Sequence, residues 1–513
     1  MKVCNFEPKN ESRNSVTSRS AMRRRLRRRN RRVEKLQSRN DHLQQRVHEL
    51  EKRLSNANSQ LENAQAQLLQ RSSIEQPMMD HRIECEKPLP GHQFGVTLIA
   101  AAIELARRVG FRAAADVIAI LFDLLNVDMK VPSHDAIEQW TLRLGVASLQ
   151  DTFTKEDRVL WMSDHSSQIG KEKVLLIIGI ALDDLPISGE TLCLEKMRVL
   201  AIVPGESWKK EDVEREYQKL AERIGPPVYL LCDGAVELRE PAEKLGKNGQ
   251  KTIVLGDLKH HAANVLEKEI GRDERFQSFM SQVGLTRNRV QQTELSHFAP
   301  PPIKQKSRFM NLGSLLNWAS MVLHHLDDPG SDSRTGVSDQ RMEEKLGWLR
   351  DFADDVANWN QCQVVIDRSL EVINREGLAH ETAEVVRCSL TNHDANWNRG
   401  SSSASRIGLQ LIQWIGDSSS RLNAGERAWL STEILESLFG RFKQLERQHS
   451  KGGFTRLIAA LPTLCVRLSD EAVRRGFARV HSPQLSKWIT IKSTARQLLI
   501  VGLTCESLAV LGH

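Results

Sequence analysis

Three acidic residues have the types and placement for metal-assisted phosphoryl chemistry: Asp164, Asp233 and Glu436. Asp164 closely follows the apolar run Val159-Leu160-Trp161-Met162, and Asp233 ends Val228-Tyr229-Leu230-Leu231-Cys232. Glu436 lies in a helical stretch from Ser431 to Lys443. A carboxylate at the end of a buried strand is held rigidly at the rim of a sheet. Two on strands and one on a covering helix can converge on a pair of hard cations. Charge that develops on a phosphate needs metal or cationic neutralisation, which favours carboxylates over a Ser/His couple. With 65 acidic residues among 513, one Asp after a strand means little. The ordered placement of all three carries the reading.

The elements that must position these acids are legible in the pattern of apolar residues. Apolar, β-rich runs occur at 159–163, 173–182, 198–203, 228–232 and 252–255. Helical stretches from Lys209 to Ile224 and from Val236 to Leu245 separate the third, fourth and fifth runs. Three strands in succession, then alternating helix and strand, is the order of an RNase H-like α/β fold. The continuous run Val174 to Leu182 suits a strand buried on both faces. Residues 271–420 break the pattern with amphipathic helical stretches, five tryptophans (Trp318, Trp348, Trp359, Trp397 and Trp414) and no clear strand. This reads as an all-α insertion, with the tryptophans and the pair His324-His325 as packing residues. The catalytic-core reading therefore covers 151–270, resumes at 421–450 with a helix from Thr432 to Leu445, and is followed by a helical region, 451–513.

Upstream, residues 1–32 form a basic tail with Arg23, Arg24, Arg25, Arg27, Arg28, Arg29, Arg31 and Arg32. Such a run attracts polyphosphate partners through counterion release without reading sequence. Heptads then run through 33–70, with Val33, Asn40, Val47, Leu54, Leu61 and Leu68 at a, and Leu36, Leu43, Leu50, Ala57 and Ala64 at d. The expectation is a coiled coil and a homodimer, with Asn40 fixing register and the Ala-containing half the weaker. An Arg block leading into heptads has the layout of a basic zipper, but Arg repeats do not supply base-reading side chains. Residues 71–91 are a linker broken by Pro77, Pro88, Pro90 and Gly91. Residues 92–150 suggest three short helices, the third capped by Ser133, as either a helix-turn-helix-like DNA-binding domain or a plain helical subdomain.

In these pieces the sequence resembles the DDE transposases of bacterial insertion sequences that carry a helical insertion in an RNase H-like core. Trp161-Met162-Ser163-Asp164-His165 resembles the first-strand Asp motif, and the run from Val228 to Asp233-Gly234 the second. Val254-Leu255-Gly256-Asp257-Leu258-Lys259-His260 is similar to the family's Asp/Cys-x-x-His segment. The run from Glu436 to Lys443 is similar to the third acidic motif, with a basic residue seven positions on. The resemblance spans roughly 92–470. It implies cleavage at element ends and transfer of the freed 3′-hydroxyl into target DNA. Asp164, Asp233 and Glu436 would hold two Mg²⁺ ions, with Mn²⁺ as a substitute. Lys443, two helical turns along the same face, would contact phosphate. Asp257 competes with Asp233 as second carboxylate, although Asp-Gly after a strand matches the motif better. Glu433 competes with Glu436, and His260 is an auxiliary candidate that would orient a carboxylate or contact phosphate.

Composition sets the remaining expectations. The net charge of +7 is concentrated in the Arg run, and the 8 cysteines contain no Cys-x-x-Cys pair, so neither a disulfide framework nor a zinc site is indicated. The longest apolar run is too short to span a bilayer. A soluble, cytoplasmic, nucleoid-associated DNA-binding protein is expected. Two other classes share these features: a nuclease on the same core that cuts without joining, and a non-catalytic coiled-coil DNA-binding protein, including an inactive transposase copy.

Overall fold

The five apolar runs pair into one sheet. The computed structural model describes residues 87–165, 173–205, 207–247, 249–302, 309–327, 338–394, 397, 402–448 and 454–501. The Arg run, the heptads of 33–70 and linker residues 71–86 lie outside the described residues. Helices α1 (Val96–Val109), α2 (Phe111–Leu124) and α3 (His134–Ser148) come first. The strands follow as β1 (Val159–His165), β2 (Lys173–Ala181), β3 (Arg198–Gly205), β4 (Tyr229–Cys232) and β5 (Ile253–Gly256), each within two residues of its run. Their spatial order is β3-β2-β1-β4-β5. The β1–β2 and β2–β3 pairs are antiparallel, and the β1–β4 and β4–β5 pairs are parallel.

Alternation along each strand sends side chains to two cores. On one face Trp161, Leu175, Ile177, Leu230 and Cys232 meet α4 (Lys210–Ile224) and α5 (Val236–Glu243) through Val213, Tyr217, Leu220 and Leu238. On the other, Leu160, Met162, Leu176, Tyr229, Leu231 and Leu255 join the larger core. That core includes α6 (Leu258–Ile270), α7 (Glu274–Val290), α8 (Leu312–Asp327), α9 (Asp339–Leu346), α10 (Ala353–Glu376), α11 (Thr382–His393) and α12 (Ser403–Ser419). Trp318, Trp359 and Trp397 are buried in this helical layer, as the reading of the tryptophans as packing residues expects. His325 meets Phe298 edge-on.

After α12 the chain crosses back over the sheet. Arg421 donates to the carbonyl of Val254 at 2.9 Å, and Glu426 accepts from Tyr229 Oη at 2.7 Å. Arg158 also pairs with Glu426. Leu430 O then accepts from Leu258 N at 2.8 Å, and the chain enters α13 (Glu433–Gln448). Leu435, Leu438, Phe439 and Phe442 place one face of α13 in the core.

The helices of 92–150 form as the pattern indicates, and Ser133 Oγ caps α3 by accepting from Ala136 N. Of the three, His134–Ser148 is the most enclosed. Of the residues from Ile137 to Ala147 in α3, only Gln139 is not buried. The helix is enclosed by the 3₁₀ segment Ile458–Cys465, by α14 (Asp470–Arg479) and by α15 (Ser482–Val501). Arg143 donates to the carbonyls of Phe477 and Val480 and so caps the C-terminal end of α14.

The closest approach is at Gly145, where a Cβ atom would lie 1.8 Å from the carbonyl oxygen of Ala459. Gly145→Ala must push two backbones apart and is expected to cost about 1–3 kcal/mol. Chemical denaturation should show a midpoint well below the wild type. An unchanged midpoint would mean that α3 and the 458–465 segment do not pack as described.

Candidate functional site: an acidic rung at the sheet edge

The register of the parallel strands decides which acids meet. Ser163 pairs with Cys232, and Cys232 with Gly256. The next residues, Asp164, Asp233 and Asp257, therefore occupy one rung where three adjacent parallel strands end, spaced by about 4.8 Å between strands. All three share parity with Met162, Leu231 and Leu255, which places them on the face that carries α13.

Each strand end is shaped locally. Asp164 is half-buried, and its Oδ1 accepts from His165 N at 2.6 Å. Asp233 Oδ1 accepts from Ala235 N at 2.8 Å, closing a turn over Gly234. Gly234 has φ +88°, a left-handed conformation that side-chain-bearing residues rarely adopt. This turn directs β4 into α5 and leaves the Asp233 carboxylate at the rim. Burial pushes the Cys232 thiol up to about 12, so the chemically available group at the end of β4 is the carboxylate.

Asp257 is different. It is 2% exposed and N-caps α6, with Oδ1 accepting from His260 N at 2.7 Å. The same oxygen lies 2.9 Å from His260 Nδ1. Its Oδ2 accepts from Thr432 N at 2.6 Å and Thr432 Oγ1 at 2.7 Å. Burial alone would raise this carboxyl, but the His260 hydrogen bond and charge, with the backbone N–H groups, hold it below its ordinary value. Burial would likewise lower His260. The hydrogen bond to Asp257 and the negative charges of Asp257, Asp233 and Asp164 instead raise it. With both oxygens doubly engaged, Asp257 positions its neighbours and has little capacity left for another ligand.

The effect of crowding falls on Asp164. Burial, then the neighbouring Asp233 carboxylate, push its carboxyl up to about 7. Two hard-oxygen donors forced together, one held partly protonated, suit a divalent cation, whose charge would relieve both. Asp164 and Asp233 thus fit such an ion.

The acids of α13 are present, and a cation holds them. Glu436 Oε2 lies 3.0 Å from Lys259 Nζ, and Glu433 Oε1 lies 3.8 Å from it. Glu433 also accepts from Asn374 of α10 at 2.9 Å. Among the described residues, no group of three His, Cys, Asp or Glu side chains closes into a set that could hold a metal ion. Of the trio Asp164, Asp233 and Glu436, the structure brings the two aspartates together, while Glu436 pairs with Lys259. Lys443 follows on α13 and is half-buried. Three further participants were not evident from sequence. Lys259 read as a spacer between Asp257 and His260, Thr432 lies 175 residues from the carboxylate it binds, and Asn374 lies in α10, far from the strands in sequence.

The fold and site define a mixed α/β protein with an acidic cluster at the carboxyl ends of its parallel strands. The sequence matches no protein-family model and no curated protein. Among solved structures, the chain is similar to the Drosophila P element transposase strand transfer complex, at 12% identity and a TM-score of 0.36. That similarity covers 82% of this chain and 100% of the other. No helix among the described residues is long and apolar enough to cross a membrane.

The crowding has a signed consequence for cation-free protein. Asp164 moves from an ordinary 3.8 to about 7, so the fold favours its protonated form. Its contribution is neutral below about 4, turns destabilising as pH rises and is fully unfavourable above about 7. Asp164→Asn should therefore raise the thermal midpoint at pH 8, by the equivalent of about 1–3 kcal/mol. The gap should close near pH 4. A gap that is independent of pH would show that Asp164 is not buried beside Asp233 as described.

Proposed function

We propose that the chain is a DDE-type DNA transposase that cleaves DNA at the ends of its element and joins the freed 3′-hydroxyl to target DNA. The observation that carries this reading is the rung itself: Asp164 beside Asp233 at the ends of adjacent parallel strands, with an acid-bearing helix delivered to the same edge. The sheet order β3-β2-β1-β4-β5, with β2 as the antiparallel member, supports reading this domain as an RNase H-like core. The helices between β5 and α13 then form the insertion.

Each residue has a distinct task. Asp164 and Asp233 present carboxylate oxygens from rigid strand ends. Asp257, saturated by His260 and Thr432, fixes where α13 begins. Glu436 supplies the third acid once it leaves Lys259. Lys443 contacts a phosphate further along α13. Divalent cations, Mg²⁺ or Mn²⁺, would be held by Asp164, Asp233 and Glu436 and would supply phosphate neutralisation and activation of the attacking hydroxyl. The N-terminal Arg residues 23–32 would add sequence-independent DNA affinity, and the heptads of 33–70 would pair two copies.

The test is cleavage and strand transfer on a labelled element-end oligonucleotide with Mg²⁺. Asp164→Asn, Asp233→Asn and Glu436→Gln should each lower both activities about a hundredfold or more. Asp257→Asn should lose about 10–100-fold, with a drop in thermal midpoint because its hydrogen bonds are structural. Cutting without joining would identify a nuclease. Wild-type activity in folded Asp164→Asn protein would exclude this site.

A further inference from the structure

Lys259 stands where helix electrostatics disfavour it. It is the second residue of α6, at the positive end of that helix's dipole, where a cation is destabilised. Its ammonium points instead to the first turn of α13, where Glu433 and Glu436 sit at the end that favours acids. Its side chain is 22% exposed, against 42% for Glu433 and 41% for Glu436. The pairing spans 177 residues of sequence, and the Asp257–Thr432 and Leu258–Leu430 hydrogen bonds that join the starts of the two helices bring its partners together.

The lysine lies two residues from Asp257 and one from His260, beside the acidic rung. Asp164 and Asp233 bring like charges to this edge, and His260 is already committed to Asp257. A mobile ammonium on a four-carbon stem can occupy the place of a counter-ion and withdraw from it at low cost.

We propose that Lys259 is a resident counter-cation of the acidic site: it holds Glu436 and Glu433 in the cation-free protein and competes with a divalent ion for Glu436. This rests on the reading of Asp164, Asp233 and Glu436 as a cation-binding set. Binding then requires the Lys259–Glu436 pair to open, so affinity is lower than the carboxylates alone would give. The freed ammonium stays at the edge of the site.

The experiment measures Mn²⁺ and Mg²⁺ binding to the full chain by calorimetry and by the cation-induced rise in thermal midpoint, without DNA. Lys259→Gln frees Glu436 and should bind Mn²⁺ about two- to fivefold more tightly than wild type, the range set by a half-exposed ion pair. Its cation-free midpoint should fall and its cation-induced rise should grow. Lys259→Arg keeps the charge and offers a bidentate fork, so it should bind Mn²⁺ no more tightly than wild type. Equal or weaker Mn²⁺ binding by Lys259→Gln, with Asp164→Asn abolishing binding, would overturn the proposal but leave the site reading intact. Undiminished binding by Asp164→Asn would instead remove the site reading on which it rests.

Discussion

The buried carboxylate of Asp257 is the interaction on which the rest of this molecule depends. A buried charge is tolerated only when paired and fully hydrogen-bonded, and Asp257 meets that condition with partners from two distant places in the chain. One oxygen closes the first turn of α6. The other fixes Thr432, the residue from which α13 begins. A single side chain thereby sets the position of both helix starts relative to the strand ends. Losing either partner would leave charge buried without compensation, a cost that typically reaches several kcal/mol.

That clamp has an electrostatic effect beyond its own bonds. It brings two helix N-termini, each carrying about half a positive charge, to the edge where three aspartates end their strands. The arrangement offsets part of the repulsion among the acids without removing it, and burial, with the Asp233 charge beside it, keeps Asp164 shifted upward. The site is therefore left short of positive charge, and Lys259 supplies some of what is missing. Acidity, helix dipoles and the lysine form one balance.

Much of this was legible in the sequence because it is local. Runs of apolar residues gave all five strands to within two residues. The covering helix with Glu433 and Glu436 followed from its own amphipathic pattern. What was not legible is long-range. Periodicity says nothing about whether Asp257 takes a ligand or binds Thr432, since the answer depends on a chain crossing made through Arg421, Glu426 and Leu430. Nor could it show that α3 is enclosed: Glu138 and Arg143 look like an outer face until Arg456 and the carbonyls of α14 are brought against them. Lys259 was passed over because its partners lie on a helix far away in sequence.

The placement of the helical layer between β5 and α13 also sets an order in time. Asp164, Asp233 and Asp257 leave the ribosome in turn, and Thr432 follows 175 residues after Asp257. At about 5–20 residues per second, roughly ten to thirty-five seconds separate them. During that interval the nascent sheet carries its aspartates but has no Thr432 to bind Asp257 and no acid from α13. Every copy thus completes its acidic edge only after the whole helical layer has been made, and a prematurely terminated chain cannot assemble the full set.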